Sequence, residues 1–551
     1  MYHSAPNPPQ GDRSAYTGPM NTTLTSITRL LARKGLLADS ANVFDEAGAN
    51  GSGGAERGVS ADVCGVDCDS RHAAPGHLFV CKGNAFRANY LAQALAAGCV
   101  GYLCDEARAG ELAALCPQVP RLVSHDLRRA MALVSAEAWG HPDRNLGVLG
   151  ITGTKGKSTV AYMLRSILDS DADGTRDAPH TGILGSIETF DGIEREESVN
   201  TTPEAPDLWR HLHNAATSGL SHMVMEVSSQ ALKYDRVVGL GLDVACFLNI
   251  GCDHISPVEH PSFEDYFESK LRIFDQACVA VVNLDSDKAD VILERAARCG
   301  RTVTFSATGQ GAGGAPAGAG GADVWAEGIS SREGRIRMMV RTPSWSEPVT
   351  VSMPGLFNAD NALAAIAICE ACGIGRERVV AGLARVRVPG RMELLPTADP
   401  KVTGIVDYAH NKLSYQRFFS SMAQEFAGRA IIAVLGAPGG KAYERRRELP
   451  QEASKWADYL IYTEEDPAGD PVEEICSQLA AATPAGQDFE VIVDRPAAIR
   501  RAVELAFGYP QGALVCLLAK GDETLQHVGN SFVPCETDGT LFERAVGERL
   551  G

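Results

Sequence analysis

The sequence predicts an α/β protein of three domains: a small N-terminal α/β domain, a central parallel sheet that carries a phosphate loop, and a C-terminal Rossmann-like α/β domain. Three observations carry this. At 551 residues the chain is longer than the ~250–300 residues at which one hydrophobic core stops growing. Its 45% hydrophobic content is that of a well-buried globular protein. From about residue 61 onward, short buried-strand runs alternate with helical patterns, which is the mark of parallel sheets with crossover helices.

In chain order, residues 1–60 read as a disordered start, a short helix in "TSITRLLARKGLLAD" and a connector, "AGANGSGGAERG". Residues 61–145 alternate short strands with Ala-rich helices such as "ANYLAQALAAG" and form the first small domain. In 146–388, "NLGVLGIT" is a buried-strand run and "STVAYMLRSILD" is amphipathic at helical spacing. The low-complexity stretch "GQGAGGAPAGAGGA" at 309–322 is expected to be a flexible surface insertion without chemistry. Residues 389–551 run through "VTGIVDYAH", "RAIIAVLGAPGG", "ADYLIYT" and "GALVCLLAKG", the strands of another open parallel sheet.

A formal net charge of −18 argues against nucleic-acid or acidic-membrane binding, which needs the opposite sign. No stretch approaches the ~18 apolar residues of a membrane span. The polar start, "MYHSAPNPPQGDRSAYTG", is not expected to be a signal peptide. The 15 dispersed cysteines read as reduced thiols of a cytoplasmic enzyme. Cys369 and Cys372 form one CxxC in a helical pattern without a second pair, so no zinc site is expected.

"GITGTKGKST", residues 150–159, lies between a predicted strand and a predicted helix, where a phosphate-binding loop belongs. Gly153 and Gly156 let backbone N–H groups turn toward phosphate oxygens, and the helix N-terminus adds partial positive charge. Lys157 can bridge the β- and γ-phosphates, and the Ser158 hydroxyl can ligate Mg²⁺. The spacing departs from G-x-x-x-x-G-K-[ST], because residue 151 is Ile and Gly150 stands one position early. The order of strand, loop, Lys-Ser and helix nonetheless reads as an ATP site.

T-G-T-x-G-K-[ST] resembles the loop of the Mur ligases and of the related folylpolyglutamate synthases. "VDCDSRHAAPGHLFV" resembles the uridine-nucleotide-binding domain of the branch that adds the third residue of the peptidoglycan stem peptide. "NTTPE", "MEVSSQALKYDRV", "NIGCDHISPVEH", "YFESK", "GLFNADNALAA", "GRME", "DYAHN" and "AKGDETLQ" follow in family order. The resemblance implies ATP-driven amide formation. The γ-carboxylate of D-glutamate in UDP-N-acetylmuramoyl-L-alanyl-D-glutamate takes the γ-phosphate as an acyl phosphate, and an amino acid's amine displaces it. Such chemistry is mostly positioning and charge neutralisation.

Carried over residue by residue, the resemblance implies that Gly153, Thr154, Lys155, Gly156, Lys157, Ser158 and Thr159 bind ATP. Asn358, Arg391 and Asp407 match the base, phosphate and ribose positions, with His410 nearby; helix N-capping is the plainer reading of Asn358. Ser158, Glu226, His254 and Lys270 are implied to hold Mg²⁺, two ions in all, with Lys270 carbamylated. Without the resemblance, Glu226 reads as a surface carboxylate, His254 as a turn residue and Lys270 as a solvated helix lysine. Ser70 and the neighbourhood of Asn84 are implied to lie near the uridine diphosphate. Thr201, Thr202, Ser228 and Arg236 lie along the muramoyl dipeptide, and Tyr234 stands where some relatives carry Gln.

The family divides on the third residue. Members that add meso-diaminopimelate carry D-N-P-R, whose arginine suits a distal carboxylate. This sequence has Glu465-Asp466-Pro467-Ala468, and Ala442 stands at a second arginine position in "GAPGGKAYERRR". Lysine carries an ammonium of pKa about 10.4 and favours acidic surroundings. E-D-P-A and "DHISPVEHPSFEDYF" resemble the lysine-adding branch, with Glu523 a further position near the amino acid. Ornithine, one methylene shorter, stays open. The expected partners are therefore the UDP-muramoyl dipeptide and L-lysine, acted on by a cytoplasmic monomer. A folate-polyglutamylating ligase should lack the "DSR…GHLFV" domain. An inactive nucleotide-binding scaffold would not need Lys157, Ser158, Glu226, His254 and Lys270 together.

Overall fold

The computed structural model describes residues 22–43, 61–171, 179–198, 200–251, 255–256, 259–309 and 321–551. The start of the chain, the connector, nearly all of the 309–322 insertion and His254 lie outside the described residues. The chain divides into two compact units: Met1–Lys157 with Ala178–Val282 and Ser286–Val303, and Ser158–Asp177 with Asn283–Asp285 and Thr304–Gly551.

The first unit opens with helix Leu24–Arg33, started by a capping box in which Thr23 and Ser26 satisfy each other's backbone N–H groups. Leu24, Ile27 and Leu31 recur at helical spacing and are its buried face. A five-stranded sheet follows in the order Leu37–Ala41, Arg121–Ser124, Gly101–Asp105, His77–Val80, Gly65–Asp67. Its first strand is antiparallel and the others run parallel. Strand Leu37–Ala41 comes from the segment read as helix and linker, because "LADSA" carries no clear alternation of apolar residues.

The central sheet of this unit is built on strand Gly147–Thr152, whose six residues are all buried, as expected of a strand covered on both faces. Strands His222–Glu226 and Leu242–Phe247 flank it in parallel register, Glu226 opposite Ile151 and Phe247 opposite Thr152. The chain therefore leaves the central strand in opposite directions across the sheet, and the carboxyl ends of these strands surround one switch point, where ligands of open α/β sheets bind.

In the second unit, strands Val324–Arg332, Arg335–Arg341 and Ser346–Val351 form an antiparallel meander. Helix Asn358–Cys372 is buried over most of its circumference. The last sheet runs Glu393–Pro396, Val402–Asp407, Ala513–Leu518, Ala430–Leu435, Tyr459–Tyr462, Phe489–Val491, and all but the first strand are parallel. Glu425, at the end of helix Lys412–Glu425, accepts hydrogen bonds from the Ser331 hydroxyl and the Gly334 and Gly355 N–H groups, fastening that helix to the meander.

A buried ion pair braces the last sheet. The Arg495 guanidinium meets both Asp538 oxygens at 2.6 Å and also donates to the Leu518 and Glu464 carbonyls. Burial alone would weaken the Arg495 charge, but Asp538 more than restores it. Removing one member of such a pair strands the other without compensation. Arg495→Leu should therefore cost about 3–5 kcal/mol, read as a lowered melting temperature, whereas Arg500→Leu, whose pair with Glu548 is exposed, should cost less than about 1 kcal/mol and barely shift it.

Candidate functional site

The phosphate loop hangs from the carboxyl end of Gly147–Thr152 and runs into helix Lys157–Leu168. Gly153 has φ +154°, and a Cβ there would lie 2.9 Å from the Leu248 Cβ, so only glycine lets the loop pass this close to the next strand. Asn249 straps the loop down. Its carbonyl accepts from Thr154 N–H, its side-chain oxygen from Lys155 N–H, and its amide donates to the Lys155 carbonyl, all at 2.9–3.0 Å. The Thr154 hydroxyl accepts from Gly251 N–H and lies 3.1 Å from the Tyr266 hydroxyl.

Two ammonium groups converge on this loop. Lys157 Nζ and Lys270 Nζ both donate to the Gly153 carbonyl oxygen, each at 2.9 Å. Lys270 is only 2% exposed, on helix Phe263–Leu271, with its ammonium over the Tyr266 ring at 4.8 Å. It is therefore not the solvated helix lysine its local sequence suggests.

Glu226, at the carboxyl end of the neighbouring strand, is 1% exposed. Its oxygens accept from Ser186 N–H at 2.8 Å and the Ser186 hydroxyl at 3.3 Å. A Cβ on Gly185 would lie 2.5 Å from Glu226 Oε1, so this glycine makes room for the carboxylate. The Ser186 hydroxyl also pairs with that of Thr201 at 2.9 Å. Thr202 donates to the Glu226 carbonyl and accepts from Ser228 N–H, and Arg236 donates to the Thr202 carbonyl. The predicted muramoyl-dipeptide residues thus form one connected array beside Glu226. Ser228 doubles as N-cap of helix Ser229–Lys233, and Tyr234 carries the Arg128 guanidinium over its ring at 4.6 Å. Ser70 donates to Gln93 on an exposed surface, and exposed Asn84 offers its carbonyl to Arg87.

Two further clusters have catalytic or metal-like composition. Ser229, His260 and Asp265 stand at 2.9 and 2.6 Å in serine–histidine–aspartate order. Ser229 and His260 are buried, and Lys233 closes the array on Asp265, so it fastens helix Ser229–Lys233 to helix Phe263–Leu271. Asp191, Glu194 and His211 bring ligand atoms within 4.8 Å of one another. Asp191 already accepts from the Ile193 and Glu194 N–H groups, His211 and Asn214, while Glu194 pairs with Arg210. With those partners in place the cluster stabilises a turn.

In the second unit, Arg391, Asp407 and His410 gather around Tyr408. Arg391 lies over its ring at 4.3 Å and His410 Nδ1 is 2.7 Å from its carbonyl. Asp407 accepts from the Met392 and Ala409 N–H groups at 2.8 Å, and burial pushes its carboxyl up. Asn358 is the first residue of its helix and not the N-cap, which is Phe357. Its amide donates to the Pro354 carbonyl and accepts from Asn361, so capping does not account for it.

The acidic loop 463–471 leaves the carboxyl end of Tyr459–Tyr462. A Cβ on Gly439 would lie 1.6 Å from the Pro467 carbonyl oxygen, and one on Gly436 2.7 Å from that of Thr463, so "GAPGG" lets this loop dock. Its four carboxylates differ in role. Glu464 accepts from Gln526, and Asp470 pairs with Arg446. Asp466 and Glu523 clasp Lys520 Nζ from two sides, each at 3.1 Å. Burial alone would weaken the Lys520 charge, but Glu523 and Asp466 hold it above its ordinary range. Glu465 keeps one oxygen buried with no hydrogen-bond partner. Burial, with Asp466 adding to it, pushes its carboxyl up to about 7. Ala468 and Ala442, which the sequence reading sets at the two arginine positions, both have left-handed backbone, φ +47° and +51°.

Sequence reading missed Asn249, Ser186, Tyr266, His260, Arg495 and Lys520. Asn249, His260, Tyr266 and Lys520 stand inside the motifs "NIGCDHISPVEH", "YFESK" and "AKGDETLQ"; Ser186 and Arg495 carry no local signal.

Comparison with known proteins matches this geometry. The Mur ligase middle domain matches residues 151–369, and the Mur ligase glutamate ligase domain matches residues 390–521. The UDP-N-acetylmuramyl-tripeptide synthetase of Bifidobacterium longum is 35% identical over 498 residues, covering 89% of this chain and 93% of that one. The UDP-N-acetylmuramoyl-L-alanyl-D-glutamate--L-lysine ligase of Enterococcus faecalis is 32% identical, covering 89% and 92%. Among solved structures, a UDP-N-acetylmuramoyl-L-alanyl-D-glutamate--2,6-diaminopimelate ligase superposes with a TM-score of 0.62 at 22% identity, over 89% of this chain and 96% of that one. With its phosphate loop, strand-end carboxylate and C-terminal parallel sheet all in place, the chain belongs to the Mur ligase family.

Proposed function

We propose that this chain is an ATP-dependent ligase that joins L-lysine to the γ-carboxylate of D-glutamate in UDP-N-acetylmuramoyl-L-alanyl-D-glutamate. The observation that carries the choice of amine is the buried, unpartnered Glu465 oxygen beside Asp466 and Glu523, with alanines at both positions that would favour a distal carboxylate. An ammonium side chain suits that oxygen, whereas a second carboxylate would add to an already repulsive set. The Enterococcus faecalis relative carries the same activity in its name. The nucleotide-linked substrate and ATP fit a cytoplasmic enzyme, and no helix among the described residues is long and apolar enough to cross a membrane.

In this reading the γ-carboxylate oxygen bonds to the γ-phosphorus as ADP leaves. The lysine α-amine then bonds to the acyl carbon, phosphate leaves, and the amine gives up a proton. Lys157 and the loop N–H groups orient the phosphates, while Arg236, Thr202 and Ser228 hold the dipeptide. Asn358, Arg391, Asp407 and His410 serve the adenosine and phosphate side. Glu226 offers hard oxygen donors fixed by Ser186, which suits Mg²⁺. Ser158, His254 and a carbamate on Lys270 would complete its ligands, and Mg²⁺ when bound would neutralise phosphate charge. The shared Gly153 carbonyl supports the carbamate, because converting one of two adjacent ammonium groups to an anion relieves their repulsion.

The direct test is phosphate release with ATP and the UDP-muramoyl dipeptide against lysine, ornithine, meso-diaminopimelate and glutamate. Lysine should be preferred, with ornithine down by about tenfold or more for its missing methylene. Preference for diaminopimelate would overturn the reading of the acidic loop, and release with no amine would leave an inactive nucleotide-binding paralogue. Lys270→Ala should lose most activity and regain part of it with a small carboxylate added. Near-wild-type activity of that variant in bicarbonate-free buffer would remove the carbamate.

Glu465 gives a pH signature. Ionised, it attracts the lysine ammonium, so the KM for lysine should fall as pH rises from 6 to 8. The folded state holds this proton more tightly than the unfolded chain, so its contribution to stability declines as pH rises from about 4.5 through about 7. Glu465→Gln should flatten both trends, raising the KM for lysine at pH 8 while melting at a higher temperature there. A KM profile unchanged by the substitution would separate Glu465 from the amine.

A further inference from the structure

Glu204 closes "NTTPE" and stands at the N-cap of helix Ala205–Thr217, yet its side chain makes no capping hydrogen bond. Instead it reaches away from the helix to two cations. Lys82 Nζ lies 2.6 Å from Oε2 and Arg236 Nη2 lies 3.0 Å from Oε1. Lys82 follows strand His77–Val80 of the first sheet, and Arg236 follows helix Ser229–Lys233 of the central one, so one carboxylate ties the two layers together. All three side chains are largely buried, at 13–18% exposure. Burial alone would raise the Glu204 carboxyl, but Lys82, Arg236 and, more weakly, Arg128 hold it below its ordinary range. Three cations therefore surround one internal anion, an excess of positive charge in a strongly acidic chain.

Arg236 is further fixed by its bond to the Thr202 carbonyl, and its Nε is buried without a hydrogen-bond partner. Lys82–Glu204–Arg236–Thr202 is thus continuous with the Glu226 end of the site through the Thr202 hydroxyl. We propose that Glu204 is a positioning residue, which holds Lys82 and Arg236 at a fixed separation as one receptor for an oxyanion of the nucleotide-linked substrate. The inference rests on the reading of Arg236 as a substrate contact and adds Lys82 and Glu204 to it. Long cationic side chains carry large rotamer freedom, which a shared carboxylate removes before the ligand arrives.

The sign of the effect separates positioning from bulk electrostatics. Removing an anion from a cationic pocket should by charge alone tighten anion binding. If Glu204 instead pre-positions the two cations, Glu204→Gln should weaken binding of the UDP-muramoyl dipeptide about tenfold, measured by calorimetry without ATP and as KM in turnover. The KM values for ATP and lysine and the kcat should change by less than about threefold, because the substitution acts on one substrate's binding alone. Glu204→Asp should recover part of the loss. Lys82→Met with Glu204→Gln should be no worse than the more damaging single change, since the two act as a unit. Unchanged or tighter binding by Glu204→Gln, additive losses, or a parallel rise in every KM would overturn the inference while leaving the ligase reading intact. Wild-type protein that neither binds the UDP-muramoyl dipeptide nor turns it over would instead sink the ligase reading, and this inference with it.

Discussion

Two ammonium groups on one carbonyl oxygen, Lys270 buried and Lys157 half-buried, set the terms for the phosphate loop. Lys157 reaches Gly153 from the helix that the loop starts, and Lys270 from a helix more than a hundred residues later. Neither could get there if residue 153 had a side chain, because the backbone runs against Leu248 and Asn249. The loop is therefore shaped by its neighbouring strand as much as by its own glycines. Asn249, just past a strand end, takes up the Thr154 and Lys155 N–H groups and so fixes the shape of the loop before any phosphate arrives. Preorganisation of that kind is what a reaction dominated by charge neutralisation requires, since donors already in place need no reorganisation.

The C-terminal sheet solves the converse problem of concentrating negative charge without unfolding. Of the carboxylates near residue 465, Glu464 and Asp470 are bound to fixed partners, and Asp466 and Glu523 share one lysine. Lys520 thereby lowers the net charge of the cluster without bonding to the buried, unpartnered Glu465 oxygen. In the proposed function, a further internal cation there would take the place meant for a substrate ammonium. Leaving the oxygen unpartnered costs stability, and the Arg495 charge, which works against the rise of the Glu465 carboxyl, offsets part of that cost.

Much of this was legible in the sequence because the chemistry sits at strand ends, and strand ends announce themselves. "NLGVLGIT" is a buried run that stops at glycine, and "ADYLIYT" is another that stops at acids. The all-buried patterns of Gly147–Thr152 and Ala430–Leu435 follow from apolar runs with no polar alternation. Strand Leu37–Ala41 was not legible, since its pairing depends on a partner more than eighty residues away. Lys270 was misjudged on local grounds for a related reason. Its neighbours Glu268 and Arg272 give the segment the polar composition of a solvated helix end, and the reach of its side chain to the Gly153 carbonyl of the phosphate loop is not visible in that composition.

The residues that sequence reading missed share a physical character. Asn249, Ser186, His260 and Arg495 act on other protein groups distant in the chain: a loop N–H, the Glu226 carboxylate, the Ser229 hydroxyl and the Leu518 carbonyl. A residue that contacts substrate must match a fixed chemistry, and so it carries a recognisable type at a recognisable spacing. A residue that holds another residue needs only to fill a geometry that the fold creates, and several residue types could do so. Glu204 falls between the two. It sits inside a motif, where helix capping would account for an acid poorly, and its side chain makes sense only once Lys82 and Arg236 are seen on either side of it. In the role proposed for it, recognition of the nucleotide-linked substrate begins before binding, in the pairing of the protein's own charges.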